Sequence, residues 1–241
     1  YKITTLLREQ AGALQREKVV LADSLADISH QLKTPLTSLT VLTDLLSENP
    51  GKEEKALFLE RARSQLQRIE WLVSSLLKLS RLDAGAVTMK EETVWVRALT
   101  EKALAALALP LELKALKVRL EGDKTAGYTG DFEWSSEALI NIIKNCIEHT
   151  PEKGLLKITF EQNPLYTAIK VADSGAGIAP EDLPHIFNRF YKGKDAAPDQ
   201  VGIGLAMARA IVEKQGGELS AASEPGHGTV FTIKFYQPLR P

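Results

Sequence analysis

Two sets of apolar residues, each repeating every seven positions, occupy the start of the chain. The first set is Leu14, Leu21, Ile28, Pro35 and Leu42, and the second is Leu25, Leu32, Leu39 and Leu46. This spacing is typical of a helix that packs along one seam against other helices. Because a proline occupies one seam position, we expect a single helix with a kink near Pro35.

A second apolar stripe follows a dense group of helix-breaking residues at positions 47–51. Its members are Ala62, Leu66, Ile69, Val73 and Leu76, widened by Leu72 and Leu79. The two stripes predict an antiparallel helical hairpin. A lone hairpin leaves much of each stripe exposed, so we expect a homodimer in which two hairpins form a four-helix bundle.

After residues 81–85 the seven-residue repeat stops and short β-like runs alternate with helical ones. The predicted strands are Lys117–Glu121, Leu155–Glu161, Tyr166–Asp173, Glu218–Ser223 and Thr229–Phe235. The predicted helices are Val96–Leu107, Phe132–His149 and Gly204–Gln215. We therefore predict a helical-hairpin domain over residues 1–85 and an α/β domain over residues 92–241.

Composition excludes several classes of protein. The 241 residues include 30 Lys and Arg against 31 Asp and Glu, with a formal charge of −1, so we expect no nucleic-acid partner. A single cysteine, Cys146, favours a reducing compartment. The longest apolar run, residues 103–111, contains Pro110 and is far shorter than the about 20 residues of a bilayer span. Because Tyr1 already stands inside a helical pattern, we expect the chain to be part of a longer protein.

His30 lies two residues after seam residue Ile28, which predicts an exposed ring whose neutral form can act as a nucleophile. An isolated histidine is more often a plain surface residue, but here the segment 29–36, SHQLKTPL, resembles the H-box of sensor histidine kinases. The resemblance implies that His30 accepts a phosphoryl group. Gln31 stands where that family usually has an acidic residue, and Gln cannot take a proton. Thr34, one turn beyond His30, is the residue that the resemblance associates with hydrolysis of a partner's aspartyl phosphate.

Five further motifs follow in a fixed order. They are Asn141-x-x-x-Asn145, Asp173-x-Gly175-x-Gly177, Phe187-x-Arg189-Phe190-Tyr191, Gly202-x-Gly204-Leu205 and Gly226-x-Gly228-Thr229. Each alone is weak, and the two asparagines share one helix face that is otherwise typical of a solvated polar surface. Together they resemble the N, G1, F, G2 and G3 boxes of the histidine-kinase catalytic domain, an ATP-binding α/β sandwich of the histidine-kinase and gyrase type.

The resemblance implies a role for each motif. Asp173, with Gly175 and Gly177, receives the adenine, while Asn145 and Asn141 hold Mg²⁺. The amides of Gly202, Gly204 and Leu205 meet the phosphates at a helix start, and Lys192 and Lys194 supply cations from a lid between residues 188 and 201. Both lysines are equally well explained as solvated loop charges. Glu148, Ser174 and Gln200 depart from the usual family pattern, and Glu148 brings a negative charge close to the expected phosphates.

We therefore predict ATP- and Mg²⁺-dependent phosphorylation of His30 and transfer to a response-regulator receiver domain. The resemblance also implies a membrane-anchored sensor region upstream, which would make this chain the cytoplasmic portion. Two alternatives stay open: a gyrase-like ATPase that labels no side chain, and a degenerate dimeric module that binds nucleotide without transferring phosphate.

Overall fold

The computed structural model describes residues 26–193 and 201–237. Within them the backbone forms two compact units that divide between Leu76 and Leu77. The heptad residues Leu14, Leu21 and Leu25 lie outside the described residues. The domain limits predicted from the sequence, 85 and 92, stay a prediction.

The first unit is a helical hairpin whose second helix continues past Leu76 into the second unit. Helix α1 covers residues 26–47 of the described chain and continues through Pro35, and helix α2 covers Lys52–Asp83. Between them Asn49 has a φ of +53°, which turns the chain. The amide of Gly51 then donates to Oε2 of Glu54 at 3.1 Å, one half of a capping box at the start of α2.

Burial along the hairpin follows the predicted stripes in part. Leu42, Pro35 and Leu72 are buried, whereas Leu66 and Val73 are 56% and 42% exposed. Leu59, seven residues before Leu66, is also exposed. A row of apolar residues at spacing seven therefore remains uncovered on α2 of the described hairpin.

The second unit contains the end of α2, residues 77–83, and the remaining helices and strands. In chain order they are β1 Glu92–Trp95, α3 Val96–Ala106, α4 Ala108–Leu113, β2 Lys117–Gly122, β3 Gly127–Gly130, α5 Phe132–His149, β4 Leu155–Gln162, β5 Tyr166–Asp173, a 3₁₀ turn Leu183–His185, α6 Gly204–Lys214, β6 Gly217–Ser223 and β7 Thr229–Tyr236. The five long strands form one sheet in the order β2-β4-β5-β7-β6, with β2 parallel to β4 and every other pair antiparallel. Strands β1 and β3 form a separate two-stranded antiparallel ribbon.

Helices α3, α5 and α6 pack together, and α5 and α6 contact strands of the sheet. Alternating burial along β4 and β7 shows why, since every second side chain points into the helical layer. Fully buried residues from both layers form the core, among them Leu139, Ile142, Ile158, Ile169 and Phe231. The unit is thus an α/β sandwich, and the predicted fold class of a helical hairpin followed by an α/β domain is confirmed.

The predicted elements match the observed ones to within one or two residues, whereas β1, β3, α4 and the 3₁₀ turn were missed. The ribbon strands β1 and β3 have only four residues each, and β3 begins and ends with glycine, so their sequences carry little strand signal. The short helix α4 contains Pro110 at its third position, where a proline is tolerated because the first helical amides have no intrahelical partner.

Candidate active site

The His30 imidazole lies on α1 and is exposed to solvent, as the heptad position predicts. Gln31 is half-buried beside it, and the next seam residue, Pro35, is buried. The Thr34 hydroxyl, one turn away, donates to the His30 carbonyl oxygen at a long 3.4 Å. Thr34 and His30 therefore share one exposed patch of α1.

Helix α5 supplies the first wall of the candidate site in the second unit. It begins at Asp131, whose carboxylate accepts from the amides of Glu133 and Trp134. Asn141, expected on a polar face, is only 8% exposed. Its Nδ2 donates to the carbonyl oxygen of Glu137 at 2.9 Å.

That hydrogen bond orients the Asn141 side chain. A Cβ atom placed on Gly204 would lie 3.1 Å from Asn141 Oδ1, so the amide oxygen faces the start of α6. The structure therefore brings together two motifs that are 63 positions apart. Asn145, one turn further along α5, is half-buried on the same side of the helix.

Asp173 stands at the end of β5 and is buried. Its Oδ1 accepts from the Gly175 amide at 2.8 Å. Burial raises the pKa of the Asp173 carboxyl, although hydrogen bonds from the Gly175 amide, the Cys146 thiol and the Thr229 amide act in the opposite direction. A buried carboxylate with this set of inward donors is a preorganised acceptor for one more polar hydrogen.

The glycines after Asp173 have no room for a side chain. A Cβ on Gly175 would lie 2.5 Å from the carbonyl oxygen of His149, and one on Gly177 would meet the Glu224 carbonyl still more closely. The Gly226 amide donates to the carbonyl oxygen of Ala176 at 2.6 Å. The predicted G1 and G3 motifs are therefore interlocked by backbone contacts beside the buried carboxylate.

Gly228 provides a direct test of this close approach. Its φ is +82° and an added Cβ would lie 2.0 Å from the Asp173 carbonyl oxygen, whereas Gly226 has the same φ and no atom within 4 Å of such a Cβ. We expect Gly226→Ala to lower the free energy of unfolding by about 1 kcal/mol through backbone strain alone. Gly228→Ala is expected to cost about 3 kcal/mol, because overpacking adds to the same strain. Urea unfolding of both variants measures the difference, and equal losses would contradict the backbone packing described here.

Helix α6 begins, after Ile203, without a side-chain cap from any described residue, in contrast to the Asp131 cap of α5. The first intrahelical hydrogen bond from its start runs from the Met207 amide to the Ile203 carbonyl oxygen at 2.9 Å. The amides of Gly204 and Leu205 therefore lie in the first turn, where a helix favours anions.

The chain reaches α6 through a tight contact at Gly202. The Phe190 amide donates to the Gly202 carbonyl oxygen at 2.8 Å, and Gly202 has a φ of +76° with the Tyr191 carbonyl oxygen 2.5 Å from its Cβ position. Phe190 itself has a φ of +60°, unusual for a bulky residue. Lys192 follows and is half-buried, whereas Lys194 and Gln200 lie outside the described residues.

Two of the noted departures from the family pattern have visible contacts. The Glu148 carboxylate is 4.0 Å from Nζ of Lys144 on the exposed side of α5, which partly offsets its charge. The Ser174 hydroxyl accepts from the Leu155 amide at 2.9 Å and so extends the pairing of β4 and β5. Ser174 therefore has a structural role at the edge of the site.

Two contacts that hold the site together join residues far apart in the chain, and neither was predicted from the sequence. Lys114 Nζ donates to the carbonyl oxygens of Ile147, Glu148 and Thr150 at 2.7, 2.9 and 2.9 Å, which holds the end of α5. From the sequence, Cys146 served only as a sign of a reducing compartment, but its buried thiol also donates to Asp173. Nothing in the local sequence signals either contact, because both depend on how distant segments pack.

The described residues contain neither a metal-binding cluster of side chains nor a membrane-spanning helix. Across residues 26–193 and 201–237, no three His, Cys, Asp or Glu side chains come together in a way that could hold a metal ion. Helices in the same ranges are all too short or too polar to cross a bilayer.

These features define an ATPase-type α/β sandwich preceded by a histidine-bearing helical hairpin. The chain matches the model of the "His Kinase A (phospho-acceptor) domain" over residues 21–85. It also matches the model of the "Histidine kinase-, DNA gyrase B-, and HSP90-like ATPase" over residues 130–239. The chain belongs to the sensor histidine kinases.

Relatives and solved structures agree with this assignment. Sensor protein SrrB of Staphylococcus aureus is 30% identical over 226 residues, which cover 90% of this chain and 38% of that protein. The chain thus spans less than half of the length of this relative. Acinetobacter baumannii histidine kinase AdeS superposes with a TM-score of 0.72 at 26% identity, covering 86% of this chain and 97% of that one. Histidine kinase ThkA, in a complex with response regulator protein TrrA, shares the fold with a TM-score of 0.76 at 21% identity, covering 92% of this chain and 64% of that one.

Proposed function

We propose that this chain transfers the γ-phosphoryl group of ATP to His30 and then to an aspartate of a response-regulator receiver domain. The observation that carries the proposal is the exposed His30 imidazole within the matched phospho-acceptor domain. The ATPase-type unit of the same chain supports it by offering a nucleotide site.

The residues of the second unit suit an adenine nucleotide. Asp173 is a buried acceptor for the exocyclic amino group, and glycines 175 and 177 lie where side chains would intrude. The first-turn amides of α6, including those of Gly204 and Leu205, suit phosphate oxygens. Base and phosphates would therefore be bound largely by backbone, with one carboxylate selecting adenine.

The candidate metal ligands are amide oxygens. Asn141 directs Oδ1 toward the start of α6 while its Nδ2 is held by Glu137, and Asn145 lies one turn away. These hard oxygen ligands suit Mg²⁺, which completes its coordination with water and substrate phosphates. When bound, Mg²⁺ neutralises charge that develops on the phosphates during transfer. Lys192 is a further candidate cation for the phosphates, as is Lys194 outside the described residues.

The chemical step requires little more than an exposed nucleophile. A ring nitrogen of His30 forms a bond to the γ-phosphorus, the bond from that phosphorus to the bridging oxygen breaks, and ADP leaves with that oxygen. The ring proton passes to solvent, because the adjacent Gln31 cannot accept it. The phosphoryl group then moves from nitrogen to the carboxylate of the regulator.

The hairpin also supports a homodimer. Leu59, Leu66 and Val73 are exposed apolar residues at spacing seven on α2, the repeat that a coiled seam requires. Two copies related by a two-fold axis would cover both rows and form the predicted four-helix bundle. In this proposal the chain is the cytoplasmic portion of a sensor whose membrane-anchored region precedes it.

Incubation of the purified chain with γ-labelled ATP and Mg²⁺ tests the function. We expect label on the protein that is lost in acid, kept in alkali, and located by mass spectrometry on the peptide containing His30. Steady phosphate release without protein labelling would instead favour the gyrase-like ATPase. Nucleotide binding with neither labelling nor hydrolysis would favour the degenerate binding module.

A second activity, dephosphorylation of the regulator, is proposed for Thr34. Its exposed hydroxyl shares the patch of His30 and is only weakly engaged, at 3.4 Å from the His30 carbonyl oxygen, so it can orient a water. We expect Thr34→Ala to slow the loss of phosphate from a labelled receiver domain by about a hundredfold, the lower end of the usual range for one positioned catalytic group. Thr40→Ala is the matched control, since Thr40 makes the same type of bond to the Leu36 carbonyl oxygen at 3.1 Å. Equal rates for the two variants would end the assignment.

A further inference from the structure

Two ion pairs connect the last two turns of α2 to segments of the proposed nucleotide site. Lys78 Nζ lies 2.9 Å from Oε1 of Glu137 on α5. Arg189 Nη2 lies 2.7 and 2.6 Å from the two carboxylate oxygens of Asp83. All four residues belong to the unit that begins at Leu77. Their side chains are 33% to 44% exposed, so solvent screens both pairs and each is weak alone.

The first pair acts on the residue that orients Asn141. The Glu137 side chain contacts Lys78, while its carbonyl oxygen accepts from Asn141 Nδ2 at 2.9 Å. That hydrogen bond leaves Asn141 Oδ1 facing Gly204. Lys78 therefore anchors α5 at the turn from which the candidate metal ligand is held.

The second pair acts on the other side of the same site. Arg189 directly precedes Phe190, whose positive φ is strained and whose amide donates to the Gly202 carbonyl oxygen at 2.8 Å. Gly202 is two residues before the start of α6, where the first-turn amides lie. Asp83 therefore anchors the bend that sets the position of the first turn of α6.

The geometry points to Lys78 and Asp83 as positioning residues of the nucleotide site. They hold the Asn141 side and the α6 side of the site from one helix. This inference rests on the proposed nucleotide site. Because coupling is reciprocal, bound nucleotide would in turn favour both ion pairs and so stabilise the end of α2 in this position.

Charge reversal in the full chain tests the inference. The single variants are Lys78→Glu, Glu137→Lys, Asp83→Arg and Arg189→Asp, and two double variants restore each pair with its charges exchanged. Titration calorimetry with ADP and Mg²⁺ measures the dissociation constant. We expect each single reversal to weaken binding by about threefold, and loss of both pairs by about tenfold, as for partly exposed ion pairs. Each exchanged pair is expected to return to within twofold of the unmodified chain.

Two other ion pairs of the same unit serve as matched controls. Lys102 on α3 lies 2.6 Å from Glu133, which is one turn before Glu137 on α5, and Arg209 and Glu213 are 2.7 Å apart on α6. Reversal of Glu133 or Glu213 is expected to leave the dissociation constant unchanged. Thermal unfolding without nucleotide identifies any variant that does not fold, for which Glu137→Gln and Asp83→Asn take the place of the reversals.

The outcomes separate this inference from the proposed function. If the unmodified chain binds no nucleotide, the proposed nucleotide site itself is wrong. If it binds, and the reversals of Lys78, Glu137, Asp83 and Arg189 change the dissociation constant no more than the control reversals do, the positioning role is overturned. Failure of the exchanged pairs to recover binding also overturns it, because a merely structural loss would not be restored by swapping charges.

Discussion

Replacing His30 with alanine is expected to lower the incorporation of phosphate from γ-labelled ATP by about a thousandfold or more. The imidazole is exposed on α1, and no change in the packed core accompanies its removal. The variant loses the nucleophile itself, so no rearrangement of the nucleotide site restores the reaction. Labelling followed by gel autoradiography measures the loss directly.

His227 gives a matched control for this experiment. It is exposed in the turn between β6 and β7, and its Nδ1 lies 3.3 Å from the Pro225 carbonyl oxygen and 4.0 Å from the Glu224 carboxylate. His227→Ala is expected to keep full labelling, and His30→Ala is expected to bind ADP as well as the unmodified chain does. Acid-labile label that persists in His30→Ala would contradict the assignment of the phosphoacceptor.

Much of the fold was predictable where periodicity and local signals agree. Helix α5 was predicted with its observed limits, and the local signals are visible in the structure: Asp131 caps its start, and buried apolar residues recur from Ala138 to Ile147. Strand β5 was also predicted with its observed limits, since it combines β-branched residues with a clear end at Asp173. The ribbon of β1 and β3 was not predictable, because two four-residue segments acquire strand character only by pairing with each other.

The site was predictable in its components and not in its connections. Motif order identified Asn141 and Gly204, but periodicity placed Asn141 on a solvated face, and only packing against α6 explains its burial. Asp83 and Arg189 are 106 residues apart, so no local pattern indicates their ion pair. A sequence motif specifies which groups are available, whereas the tertiary fold decides which of them meet.

Replacing Asp173 with alanine is expected to weaken binding of adenine nucleotides by about one to two orders of magnitude. The change removes a charged acceptor, a contribution of about 2–3 kcal/mol, and leaves inward-pointing donors such as the Gly175 amide without a partner. Titration calorimetry with ADP and with GDP measures both affinity and selectivity. Binding of GDP is expected to change much less, because guanine presents a carbonyl oxygen where adenine presents its amino group. Asp123→Ala removes an exposed carboxylate of the same unit and serves as the control.

The same carboxylate predicts how binding depends on pH. Burial raises the pKa of Asp173, while the hydrogen bonds from Gly175, Cys146 and Thr229 and the nearby His149 oppose that shift. The ionised carboxylate is the stronger acceptor, so nucleotide binding favours the ionised form and lowers the pKa of Asp173 in the complex. Affinity for the nucleotide is therefore expected to be constant above the pKa of Asp173 in the free protein and to fall as the pH drops through it.

Titration of the nucleotide phosphates adds its own pH dependence, which the Asp173→Ala variant retains. Dividing the dissociation constant of the variant by that of the unmodified chain isolates the pH dependence that comes from the Asp173 carboxyl group. A ratio independent of pH would show that Asp173 does not contact the base in its ionised form.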